Sequence, residues 1–144
     1  MNWDSHYTEW QAARAGRHNA EAHRIIEAAR KRISEDRVHG WTWCREALRD
    51  RERKWFVAAL FKYQPVPRRL FQPMLDAAVV DVDASSNRLF IEPCVETFGN
   101  VAVVGALTAM KASGRVSEQQ IKMALYWAGP AGRMRAIIRK TTAG

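Results

Sequence analysis

Four histidines, His6, His18, His23 and His39, are the side chains best suited to proton transfer or metal ligation, and their spacing favours neither. His18 and His23 stand five residues apart, which turns them to different faces of a helix, so the i, i+4 pair of a helical zinc site is missing. Each histidine is expected to be a single exposed side chain. The carboxylates Asp76, Asp81, Asp83, Glu92 and Glu96 gather in one stretch, but Asp81 and Asp83 fall in a run of helix-capping residues. Glu92 and Glu96 form an i, i+4 pair directed at solvent or a partner, and acid/base hydrolysis would demand shifted pKa values that spacing does not supply. Glycines stand singly at expected helix ends, so there is no phosphate-cradling loop, and no nucleophile elbow occurs. Cys44 and Cys94, 50 residues apart in apolar stretches, read as free buried thiols in a reducing compartment. The expectation is a protein without catalytic residues, cofactor or metal.

Charge is the other chemical feature. Twenty-three Lys and Arg against fifteen Asp and Glu give a net charge of +8. After Glu118 no acidic residue remains, whereas Lys122, Arg133, Arg135, Arg139 and Lys140 follow. A basic terminal helix serves either as a solubilising cap or as a face for an acidic protein surface or a phosphate backbone. Arg68, Arg69, Glu92, Glu96, Arg133, Arg135, Arg139 and Lys140 are therefore the candidate partner-binding residues. Trp3, Tyr7 and Trp10, spaced three and four apart, read as packing aromatics on one helix face, with a binding stripe as the alternative.

These residues need a scaffold. A chain of 144 residues is expected to form a single domain burying about two-thirds of its unfolded surface, so it needs no disulfide or structural metal. No apolar run reaches the length of a membrane span, and Met1-Asn2-Trp3-Asp4 lacks the layout of a signal peptide, so a cytoplasmic protein that does not engage a membrane is expected. Residues 1–40 are expected to form an N-terminal segment dominated by one long helix from Ser5 to Asp36, with Ile25, Ile26, Ala29 and Ile33 on its packed face and Gly40 ending it. A short helix from Thr42 to Asp50 follows, then the strongly apolar Trp55-Phe56-Val57-Ala58-Ala59-Leu60-Phe61, broken by Pro65 and Pro67. The next helix runs to Val80, a capping turn spans Asp81 to Asn87, and a helix from Leu89 stops at Gly99. Val101, Val104, Leu107 and Met110 are expected to be the packed face of the helix after that. Ser117 and Gln120 match a capping box that opens a helix closed by Gly129-Pro130, and a last amphipathic helix covers Ala131 to Lys140 before a frayed tail at 141–144.

Laid over each other, Lys54–Asn87 and Arg88–Ile121 repeat at 34 residues, pairing Phe56 with Phe90, Val57 with Ile91 and Leu125, and Leu60 with Cys94. Such a period marks stacked supersecondary units. Pro73 and Pro93 fall inside helices and are expected to kink them. Helix pairs at this period, with intrahelical prolines and the stretches Leu75-Asp76-Ala77-Ala78-Val79 and Arg88-Leu89-Phe90-Ile91-Glu92-Pro93-Cys94-Val95, resemble small bacterial HEAT-repeat proteins over residues 41–140. The resemblance implies an all-α chain, a short right-handed α-solenoid of HEAT-like helix pairs with a long N-terminal helix, and six to eight helices are expected in all. Trp55, Phe56, Leu60, Leu75, Phe90, Ile91, Val95, Leu107, Leu125 and Trp127 are expected between its layers. Some HEAT-like proteins are DNA glycosylases, but no residue here aligns with their catalytic Asp. Solenoids commonly present a surface to one protein partner, so a non-catalytic interaction module of adaptor, inhibitor or immunity type is expected, with nucleic-acid binding through the basic end as the alternative.

Overall fold

The computed structural model of the chain describes residues 2–80 and 84–128. These residues form eight α-helices and no strand: α1 Trp3–Ala15, α2 Asn19–Glu35, α3 Arg37–Ala47, α4 Lys54–Leu60, α5 Arg68–Val80, α6 Ala84–Phe98, α7 Asn100–Ala112 and α8 Glu118–Ala128. The expected helix at Ala131–Lys140, the tail at 141–144 and Asp81, Val82 and Asp83 of the expected turn lie outside the described residues. The chain divides into two compact units, one spanning Met1–Lys62 and one starting at Tyr63. The 34-residue segment beginning at Lys54 is thus shared between them.

In the first unit the expected single helix is broken at Gly16-Arg17-His18. The His18 N–H reaches back to the Ala13 carbonyl at 2.8 Å and the Arg17 N–H to the Arg14 carbonyl at 3.0 Å, the 6→1 and 5→2 bonds of a Schellman closure. Arg17 takes the left-handed position of that turn at φ 59°, where glycine is usual, while Gly16 stands one residue early. This break folds α1 back on α2, so Trp3, Tyr7 and Trp10 are all buried and act as packing aromatics. Phe56 from α4 inserts among them, with ring centroids 5.3 Å from Trp10, 6.1 Å from Tyr7 and 5.5 Å from Trp43 of α3. Arginines close the cluster from outside: Arg14 lies 4.8 Å over Trp10, Arg53 5.4 Å over Tyr7 and Arg32 5.6 Å over Trp3.

Arg30 ties α2 to the end of α4. Its guanidinium donates to the carbonyls of Ala59, at 2.8 Å, and Leu60, at 3.2 Å, and pairs with Glu27. Two helix-terminal acceptors thereby gain charge-assisted bonds where the α4 dipole favours a cation. Gly40 does not end a helix as expected. It lies inside α3, where an added Cβ would stand 3.0 Å from both Ile33 Cγ1 and Trp3 Cζ2, so the close approach of three elements requires it.

The second unit is organised around α6, which packs against α5, α7 and α8. Its inner stripe, Asn87, Phe90, Ile91 and Cys94, is fully buried at helical spacing. Leu70, Met74, Leu75 and Ala78 from α5, Val103 and Leu107 from α7, and Ile121, Ala124 and Ala128 from α8 complete the core. Pro73 and Pro93 do lie inside helices, in α5 and α6. Gly99, at φ 90°, makes the tight turn into α7. The capping box is present: the Ser117 N–H donates to Gln120 Oε1 at 2.8 Å and the Gln120 N–H to Ser117 Oγ at 3.2 Å, while Gln120 Nε2 also donates to the Val79 carbonyl. Ser117→Ala is expected to cost about 1 kcal/mol by chemical denaturation, with hydrogen exchange quickening first at the start of α8.

Several burial expectations need correction. Phe56, Leu60, Leu75, Phe90, Ile91 and Leu107 are buried, but Trp55, Val95, Leu125 and Trp127 are half-buried. Trp55 carries the Lys54 ammonium 4.9 Å from its ring, and the buried apolar face of α4 runs through Phe56, Val57 and Leu60. On α7 the packed residues are Val103 and Leu107; Val101 is exposed, and Val104 and Met110 are half-buried. His6, expected at the surface, is buried on α1.

Candidate functional site

Arg68 and Arg69 open α5 and are exposed, Glu92 is half-buried on α6, and Glu96 is exposed one turn later. The start of α5 and the end of α6 meet: the Val66 N–H donates to Thr97 Oγ1 at 3.0 Å, Phe71 and Phe98 lie 4.6 Å apart, and the Arg68 guanidinium sits 5.8 Å over Phe98. Arg68 and Glu96 therefore share one end of the α5–α6 pair. Arg133, Arg135, Arg139 and Lys140 lie outside the described residues.

The feature that spacing did not reveal is the outer face of α7. Val101, Gly105, Thr108 and Ala112 recur at i, i+4, i+7 and i+11 and are all exposed, Val101 at 89%. Ala102, Val104, Ala106 and Met110 flank them, half-buried. From Asn100 to Met110 there is no ionisable side chain. The single hydroxyl on this face, that of Thr108, donates to the Val104 carbonyl at 2.8 Å and so is satisfied within the helix. A helix apolar on every side normally has cover on every side. Covering a valine side chain completely is worth about 1.5–3 kcal/mol. The signal was present in the sequence as the lack of a polar face, but with Val101, Val103, Val104, Leu107 and Met110 spread around the helix, periodicity alone cannot select which residues turn inward.

Among the described residues no group of three or more His, Cys, Asp or Glu could hold a metal ion. Cys44 and Cys94 are free and buried, and burial pushes both thiols up to about 12, so they stay protonated and unreactive at neutral pH. Asn87 is fully buried with neither side-chain polar atom hydrogen-bonded, an arrangement that costs about 1–3 kcal/mol.

His6 has its Nε2 buried without a partner and its ring 5.4 Å from Trp3. Burial first, and then the nearby Arg32 cation, hold its pKa below the ordinary histidine value, with Glu9 acting in the opposite direction. The unfolded chain therefore binds this proton more readily than the folded one. The contribution is complete above about pH 6.5 and is lost as pH falls from there towards the folded pKa. Stability of the first unit is expected to decline on acidification through this window, and His6→Gln should flatten that dependence in a pH series of denaturation curves.

Among the described residues no helix is long and apolar enough to cross a membrane. No protein-family model, curated protein or solved structure matches this chain.

Proposed function

We propose that the chain is a non-catalytic protein-interaction module of the cytoplasm, built from HEAT-like helix pairs as a short right-handed α-solenoid, and that its partner docks on the outer face of α7. The observation that carries this reading is the uncharged surface of α7 from Val101 to Met110, with Val101 89% exposed. Three pairs 34 residues apart support the architecture: Phe56 and Phe90, Val57 and Ile91, and Leu60 and Cys94 are all buried, on helices α4 and α6. The basic charge serves solubility and steering in this account.

The test is affinity capture from the native host with the full chain and with Val101→Asp, each with and without nuclease. Val101 is so exposed that the aspartate leaves the fold intact. A protein recovered by the unmodified chain, retained after nuclease and lost with Val101→Asp, is the expected result. Recovery abolished by nuclease, or unchanged by Val101→Asp, contradicts the reading and in the first case favours nucleic acid.

A further inference from the structure

Building on the protein-interaction reading, we infer that the outer face of α7 receives a single amphipathic helix of a partner protein, carrying acidic residues beside Lys111 and Arg115.

Three observations select this occupant. The first is size. At 13 residues α7 is about 20 Å long and about 10 Å across, so its outer face offers roughly 200 Å², which matches one helix laid along it and falls well short of the ~800 Å² per partner of a standard interface between folded proteins. A second copy of this chain held through α7 alone would therefore be unstable, and it would bring its own charge of +8 against an identical one.

The second is Gly105. Glycine inside a helix is destabilising relative to alanine, and here a Cβ would meet nothing within 4 Å, so packing inside the unit does not call for it. A neighbouring helix axis approaching closely does. With Ala109 and Ala112 also small, the middle and end of the face admit the ridge of larger side chains from a partner helix, while Val101 supplies a knob at the other end.

The third is charge. From Asn100 to Ser117 the ionisable side chains are Lys111, in the last turn of α7, and Arg115, beyond its end, both basic and both exposed. Lys111 lies 3.5 Å from the exposed Glu118 of α8, which offsets one of these two charges. The face is thus apolar for most of its length, with an excess of positive charge at and just past its C-terminal end. Acidic side chains are most favourable in the first turn of a helix, so an acidic N-terminal turn placed there sets the partner antiparallel to α7, with opposed dipoles.

The experiment titrates the isotope-labelled full chain with two synthetic peptides of about 18 residues, long enough to be helical. They share one apolar stripe and differ in having Glu or Lys in the first turn. The expected result is shifts of the Val101, Gly105, Thr108 and Ala112 amides with the Glu peptide, at least about tenfold tighter binding than the Lys peptide, and weakening by salt. Gly105→Leu should abolish binding while leaving the melting temperature unchanged or raised, and Gly105→Ala should raise the melting temperature yet weaken binding. Equal binding of both peptides at α7 overturns the acidic partner and leaves the protein-interaction reading standing. Self-association of the chain without peptide, abolished by Gly105→Leu, assigns the face to a second copy and overturns the inference. Absence of shifts on α7 with either peptide overturns the docking site itself.

Discussion

Phe56→Ala is expected to unfold the first unit or bring it to the edge of unfolding, at a cost of about 3–5 kcal/mol. The ring is fully buried and is the meeting point of Tyr7 and Trp10 from α1 and Trp43 from α3, all three edge-on to it. Each such pair contributes about 0.5–1.5 kcal/mol beyond area burial, and a Cβ left in its place cannot be reached by the rigid indoles around it. A small domain has about 5–15 kcal/mol in total, so this one change removes a large share. Five of the six tryptophans, Trp3, Trp10, Trp41, Trp43 and Trp55, belong to this unit, which makes tryptophan fluorescence during denaturant titration the natural readout. A loss under about 1 kcal/mol, the ordinary scale of a surface change, would contradict the packing described for α1, α3 and α4.

Phe90→Ala is expected to cost a similar ~3–5 kcal/mol in the second unit. Phe90 is fully buried between Asn87 and Ile91 on the inner stripe of α6, the helix on which α5, α7 and α8 converge. The void would open on the buried stripe of the helix against which α5, α7 and α8 all pack. Hydrogen exchange of α6 amides should quicken by several orders of magnitude; exchange unaltered in α6 would show that Phe90 is not central.

Helix type and the main core positions were legible because the apolar residues of α2 and α6 keep strict helical spacing, as Ile26, Ala29 and Ile33 show against charged neighbours. The capping box at Ser117 and Gln120 was legible for the same kind of reason, since its bonds join residues three apart and need no tertiary context. The break between α1 and α2 was not. A Schellman closure with arginine in the left-handed position carries no strong signature, and what stabilises the reversal is the burial of Trp3, Tyr7 and Trp10 on residues remote in sequence. Gly40 misled for a related reason: a glycine needed for close approach looks the same in sequence as one that ends a helix. His6 looks exposed in the sequence because one polar residue gives no hint that the Trp3 ring will pack against it. The outer face of α7 was missed because a helix apolar all round has no preferred inner side until α6 and α8 take up Val103 and Leu107.

The account stands most directly on whether position 101 touches a protein in the cell. A photo-crosslinking amino acid placed there, with exposed position 28 on α2 as the control, reads this out without disturbing the core. A discrete protein adduct from position 101, absent from position 28 and removed by Gly105→Leu, is the predicted result. No adduct from position 101, the same adducts from both positions, or adducts to nucleic acid would contradict it.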